Sequence, residues 1–155
     1  MPWEGEFNLA KQLEKKKIVE GSLTHDWIIH ADADEWLLSN IPGETLTEGL
    51  DRVSRMGFNV VNFEEFVFLP ASDKPGTLAD IRRDILTYYF FEPGKLRLMR
   101  AWKRNIEVSN VFSGGHKLQG SHIKISPEPF LLRHYLVLSQ DRKSTRLNSS
   151  HLVIS

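Results

Sequence analysis

The chain contains no cysteine. That absence removes disulfide scaffolds, thiolate zinc sites and cysteine nucleophiles together, and it fits a reducing compartment, so a cytoplasmic location is expected. No apolar run approaches the roughly 18 residues of a membrane span, so no transmembrane segment is expected. Charge of one sign is not in excess either: Lys+Arg and Asp+Glu both number 20. No global field therefore draws the chain to nucleic acid or to an acidic membrane. Glu4 and Glu6 make the N-terminus acidic, which does not read as a signal peptide. No internal repeat or long linker divides the sequence. At 155 residues, 41% hydrophobic and 26% charged, it has the size and composition of one globular domain.

The last fifteen residues stand apart. Asp141 to Ser155 reads DRKSTRLNSSHLVIS, rich in Ser, Asn and Arg and without apolar period. Composition alone reads as a disordered tail. More specifically, DRKSTRLNSSH resembles a translated sequencing adapter, with Leu152–Val153 corresponding to a sample index and Ile154–Ser155 to the adapter beyond it. The expected division is therefore 1–140 as one partial catalytic domain and 141–155 as a non-native tail. The natural gene is expected to continue beyond Gln140.

Hydrophobic spacing along residues 1–140 suggests strands alternating with helices, hence an α/β fold with a mixed sheet. Phe7 to Lys17 has the pattern of a short amphipathic helix. His25 to Ala31 holds Trp27, Ile28 and Ile29 in a row, which suggests a buried parallel strand ending in a polar cluster. Pro42–Gly43 is a turn signal, and Thr45 and Glu48 have capping-box spacing. Leu46, Leu50 and Val53 give one helix face, with Gly57 as its stop. Phe58 to Leu69 is strand-like, Asp73 to Gly76 a loop, and Ala79 to Tyr89 a helix with Ile81, Ile85 and Tyr88 on one face. Lys95 to Lys103 and Phe130 to Leu138 suggest further strands, the latter alternatively a helix start. Ser113-Gly114-Gly115-His116 is a loop.

The chemistry concentrates at Asp32-Ala33-Asp34-Glu35. In extended backbone, residues i and i+2 point the same way, so Asp32 and Asp34 would repel each other. A divalent cation resolves that conflict, and hard oxygen ligands suit Mg²⁺ or Mn²⁺ bridging to phosphate. A solvated acidic turn is the plain alternative. The apolar Trp-Ile-Ile before the cluster and Trp-Leu-Leu after it argue against that, because charge between apolar runs needs a reason.

DWIIHADADEW resembles the Asp-x-Asp strand end of family 2-like glycosyltransferases with the GT-A fold, in the version extended to Asp-x-Asp-Glu. VNFEEFVFLP, YYFFEP, RLMRAWKR, SGGHKL and LRHYLVLS resemble the same group, so the likeness spans roughly Asp26 to Gln140. It implies a partial GT-A fold, truncated at both ends, with the nucleotide-base-binding strands lying before Met1. It implies sugar transfer from a nucleotide-diphosphate donor to a saccharide, lipid or protein acceptor, with Mn²⁺ or Mg²⁺ neutralising the leaving diphosphate. Asp34 would contact the metal directly. Asp32 would reach the donor sugar or ribose, or the metal through water, and Glu35 would support the site or touch the sugar.

Other residues compete for supporting roles. His116, after two glycines, is either a further metal ligand, a diphosphate contact or a surface histidine. His134, in Leu-Arg-His-Tyr, is either a hydrogen-bonded core residue or the late histidine that some GT-A enzymes use as a metal ligand. Arg133 suits a phosphate or a surface ion pair. Glu64 and Glu65 alternate across a strand, so one faces out, and Glu65 is the candidate general base for inverting transfer. Arg97, Arg100, Lys103 and Arg104 form a basic strip, either a solvated strand face or a diphosphate or acceptor contact. Trp36, Trp102 and Tyr88 to Phe91 are stacking platforms or core. Two other readings of the whole remain: a non-catalytic carbohydrate-binding or scaffold domain, and a different metal–phosphate enzyme. Trp36 departs from the D-x-D-x-[TV] pattern that a phosphatase-type nucleophile motif would show.

Overall fold

The structure is a computed structural model and describes residues 8–69, 85 and 87–136. Among them are two helices, α1 (Leu9–Ser22) and α2 (Leu46–Arg55). The strands are β1 (Trp27–Ile29), β2 (Glu35–Leu38), β3 (Val60–Leu69), β4 (Thr87–Phe91), β5 (Met99–Lys103), β6 (Val108–Ser109), β7 (Gln119–Gly120) and β8 (Phe130–His134). The fold is mixed α/β. Six strands form one sheet along the path β1-β5-β3-β8-β2, with β4 also paired to β3, and β6 pairs β7 separately. No helix of the described residues is long and apolar enough to cross a membrane.

The connection between β1 and β2 dictates the shape of the sheet. These strands are consecutive in sequence yet stand at opposite ends of the path. In a flat sheet they would lie roughly 19 Å apart, at about 4.8 Å per step. The link from Ile29 to Glu35 ends in a turn closed by the Glu35 N–H donating to the Asp32 carbonyl, at 3.1 Å. A closed turn limits the link's reach to roughly 17 Å. The sheet therefore curls, bringing its two ends together at the acidic tetrapeptide.

β3 makes the curl possible. Its first residues, Val60 to Asn62, pair antiparallel with β5, and Phe63 to Val67 pair parallel with β8, with an irregularity at Val61/Asn62. Asn62 is buried there, and its side-chain oxygen accepts the Leu98 N–H at 3.0 Å, replacing a lost ladder bond. The core lies against this strand: Val61, Phe63, Ala101, Phe130 and Leu132 pack with Leu50 and Val53 of α2. The Thr45–Glu48 capping box is present, and Gly57 ends that helix region at φ +86°, as the sequence predicts.

Four expectations need correction. β1 is antiparallel to β5 and stands at an end of the path. Three apolar residues suggest two buried faces, but Ile28 is buried while Ile29 is exposed, so only one face meets the core. The helix expected over Ala79–Tyr89 is contradicted at its end, because Thr87 to Tyr89 belong to β4. The run Thr-Tyr-Tyr-Phe-Phe favours extended backbone. Residues 79–84 and 86 lie outside the described residues, as do the loop expected at Asp73–Gly76 and the tail 141–155. Of the basic strip, Arg104 alone is exposed; Arg97 and Lys103 are half-buried, and Arg100 is only 2% exposed, so a solvated face does not describe it. α1 starts at Leu9, where the Asn8 side chain caps it, and runs on to Ser22, past the expected end at Lys17.

Gly49 sits where α2 meets the sheet. A Cβ there would come within 2.9 Å of the Phe130 ring and of the Ser39 hydroxyl. Ala normally gains about 1 kcal/mol over Gly inside a helix, but overpacking a core costs roughly 1–3 kcal/mol. Phe130 is fully buried and has nowhere to go. Gly49→Ala should therefore lower the melting temperature despite its better helix propensity, as thermal unfolding followed by circular dichroism would show.

Candidate functional site

The tetrapeptide is a turn, and this changes what its side chains can do. The Glu35 carboxylate accepts the Asp32 N–H at 3.0 Å, so the turn is closed by both backbone and side chain. In a turn Asp32 and Asp34 no longer share a direction as they would in a strand. Asp32 points to two cations: Lys16 Nζ of α1 at 3.2 Å and Arg100 Nη2 of β5 at 3.4 Å. Asp34 instead lies against β8. The Tyr135 N–H donates to its carbonyl at 2.9 Å, and its carboxylate stands 3.5 Å from His134 Nε2. The mutual repulsion expected of the pair is thus already relieved by protein cations on the Asp32 side. Partial burial opposes ionisation of Asp32, but the Lys16 hydrogen bond and charge, with Arg100, outweigh it and hold its pKa below the usual carboxylate range.

Arg100 organises this end of the molecule. Its guanidinium pairs with Glu35, reaches Asp32, and donates to the Gly115 carbonyl at 3.1 Å. Glu35 is almost wholly buried in that pair, so it supports the turn and is not placed to touch a sugar. Gly115 has φ +93°, and a Cβ there would press on His30 at 3.1 Å. The glycines of the Gly-Gly-His loop thus admit a neighbouring histidine of this chain. His116 follows, with its carbonyl accepting the Met99 N–H at 2.8 Å and its buried Nδ1 without a hydrogen-bond partner among the described residues.

A second buried acid mirrors the first. Glu65 on β3 is 5% exposed and pairs with Arg97 through one carboxylate oxygen. Its other oxygen lies 2.5 Å from His134 Nδ1. The register of β8, with His134 opposite both Val67 of β3 and Glu35 of β2, sets the imidazole between the two acids. A carboxylate can only accept, so Nδ1 carries the proton and donates to Glu65. Glu64, its neighbour, is half-buried, in keeping with the expected alternation.

All three histidines here have lowered pKa values. His30 is pushed down to about 4, chiefly by burial and then by the charges of Lys16 and Arg100. Burial is also the largest cause for His116, aided by Arg100 and Arg97. For His134 burial outweighs the opposing pull of Asp34 and Glu35. In all three, loss of solvation is the leading reason that the charged ring is disfavoured.

Of the four expected metal ligands, the structure brings Asp34 and His134 together. Asp32 is directed to Lys16 and Arg100. His116 lies close enough to feel the charges of Asp32 and His134. No group of three His, Asp or Glu side chains able to hold a metal forms among the described residues. Two protein donors nonetheless suit Mg²⁺ or Mn²⁺, which keep waters and take phosphate oxygens for their other positions. Sequence reasoning missed Lys16 and His30 and underrated Arg100. Lys16 gives no local signal. Arg100 does, being a single charge between Met99 and Ala101-Trp102, the same anomaly that marks Asp32. Among the aromatic candidates, Trp102 is core, whereas Trp36 and Tyr88 to Phe91 are exposed.

Removing Arg100 strands a buried carboxylate. Arg100→Met should cost about 3–5 kcal/mol, and Arg100→Lys should recover only part of it because one ammonium cannot span Glu35, Asp32 and Gly115; denaturant titration measures both. Acid should act through His30. Its folded pKa of about 4 lies below the unfolded 6.5, so the unfolded chain binds the extra proton between those values. Stability is then full above pH 6.5 and falls by about 3 kcal/mol as pH drops towards 4. Replacing His30 with Gln should flatten that part of the stability–pH curve. No protein-family model matches the chain, and no curated protein matches it.

Proposed function

We propose that the chain is the core of a metal-assisted glycosyltransferase, with the Asp32–Glu35 turn and His134 forming the corner that meets the donor diphosphate. The observation that carries this reading is the facing of Asp34 and His134. An Asp34 carboxylate oxygen lies 3.5 Å from His134 Nε2, while Nδ1 of the same ring lies 2.5 Å from Glu65. A carboxylate beside an imidazole nitrogen can hold a divalent cation such as Mn²⁺ in place of a shared proton. Glu65 completes a recurrent arrangement, in which a metal-binding histidine donates its other N–H to a carboxylate. That favours His134 over His116 as the nitrogen ligand.

The cation would neutralise charge developing on the leaving diphosphate. The chain's own groups do the rest. Asp34 and His134 would hold the ion's protein side. Glu65 and Arg97 fix the imidazole, so Glu65 acts as a positioning residue and the general base must come from elsewhere. Arg100 and Glu35 hold the turn, and Asp32, at the solvent edge beside Lys16, would meet the donor sugar or ribose. The resemblance of DWIIHADADEW and the later segments to family 2-like glycosyltransferases supplies the substrate class, a nucleotide-diphosphate sugar.

Mn²⁺ titration followed by electron paramagnetic resonance tests the site. Asp34→Ala and His134→Ala should each abolish binding, Glu65→Gln should weaken it roughly 10–100-fold, and His116→Gln should leave it near wild type. A nucleotide-diphosphate sugar should bind in the presence of Mn²⁺ and be lost with chelator. Unchanged Mn²⁺ affinity in Asp34→Ala would overturn the metal assignment. Mn²⁺ binding without any effect of the nucleotide sugar would turn the reading towards another metal–phosphate enzyme.

A further inference from the structure

Away from the turn, α1 covers the sheet without filling the space beneath it. Leu13 is the one buried side chain the helix contributes. A cleft of about 390 Å³ remains between helix and sheet, floored by Ile28, Trp102, Val108 and Leu118 and walled by Leu13 and Val19. That volume falls within the roughly 300–1,000 Å³ typical of small-molecule sites, and it far exceeds the gaps left by ordinary side-chain packing. Val19 and Ile29 at its lining are both exposed, so the apolar surface continues outwards to solvent.

The polar part of the lining is basic. Lys15, Lys16 and Lys17 all border the cleft, against a single acid, Glu20. Lys17 pairs with Glu20 at 3.1 Å and Lys16 with Asp32 at 3.2 Å. Lys15 makes no ion pair with any described residue and lies exposed. Glu20 also accepts from Trp102 Nε1 at 3.3 Å, so its charge is turned inward and already matched. His30 and Asn110 join Lys16 in a hydrogen-bonded row on the same wall. An apolar trough with one surplus cation at its border is complementary to a hydrocarbon chain carrying an anionic head.

We propose that the cleft beneath α1 binds a single-chain anionic amphiphile, its hydrocarbon chain over Ile28, Trp102, Val108 and Leu118 and its head group at Lys15. The site is separate from the Asp34–His134 pair and does not depend on a bound cation.

Dodecyl phosphate, held below its critical micelle concentration and with chelator present, is the probe, with isothermal calorimetry as the readout. It should bind saturably, and dodecyltrimethylammonium should bind about tenfold more weakly because its head meets a like charge. Inorganic phosphate alone should not bind measurably. Val19→Trp, at an exposed helix position that leaves the core intact, should fill the cleft and lower affinity at least about tenfold. Lys15→Glu should reverse the preference between anionic and cationic heads, with circular dichroism confirming that both variants keep α1. The proposal is overturned if dodecyl phosphate does not saturate, if both detergents bind alike and Val19→Trp changes neither, or if binding occurs only to anionic phospholipid vesicles. Because chelator is present throughout, none of these outcomes bears on the cation site.

Discussion

The buried ion pair between Arg100 and Glu35 holds together both the fold and the candidate site. Arg100 rises from β5, next to β1 at one end of the sheet path, and Glu35 opens β2 at the other. Their contact therefore joins the two ends of a sheet whose linking turn is too short to let them lie flat. Both side chains leave water almost completely, which costs several kcal/mol per ion. The cost is offset because neither charge has a single partner. The guanidinium also reaches Asp32 and the Gly115 carbonyl, and the carboxylate also accepts the Asp32 N–H. An isolated pair in that position would be a poor exchange for packed hydrophobic residues. A network that also closes a turn and anchors the Gly-Gly-His loop gives conformational definition that apolar contacts would not.

The same network sorts the acids by role. Glu35 and Glu65 are each buried against an arginine, Arg100 and Arg97, and neither faces solvent. They hold other groups in place: Glu35 the turn, Glu65 the His134 ring. The more exposed acids, Asp32 and Asp34, are those that the buried pair orients. Burial of the surrounding wall also explains why the three histidines have lowered pKa values even with carboxylates nearby. Loss of solvation penalises their charged forms more than the acids favour them, and the two arginines add to the penalty.

Local signals in the sequence translated well, and long-range ones did not. Thr45 and Glu48 specify a cap through groups three residues apart, and Phe58 to Leu69 specifies a strand through β-branched and aromatic content. The position of the site was legible at Asp32 to Glu35 because charge interrupts an apolar stretch there. Its internal geometry was not, since it depends on partners distant in sequence: Lys16, Arg100 and His134. The direction of β1 was illegible for a related reason. Three apolar residues in a row fit a parallel strand covered on both faces or an antiparallel strand with one side chain left outside, and only the pairing with β5 decides. Arg100 does carry a sequence signal, a lone charge in an apolar run, but alternation along β5 fits a solvated face as well as a ligand contact. The sheet curls and α1 covers that side, so the outward face of an open sheet becomes an interior wall.

That curl also bears on which aspartate of the pair is available to a cation. Had Asp32 and Asp34 shared one face of a straight strand, both would have stood as equal ligands. In the turn they separate, and their neighbours differ in kind. Asp32 faces ammonium and guanidinium groups, which satisfy it without any added ion and would have to be displaced by one. Asp34 faces the His134 imidazole at 3.5 Å, a ring on which burial disfavours positive charge. Displacing Lys16 from Asp32 would also loosen α1, because Lys16 is the residue that ties that helix to the turn. A cation at Asp34 and His134, as proposed, would leave that tie intact. The asymmetry of an outwardly repetitive Asp-x-Asp thus follows from where the rest of the fold places its positive charge.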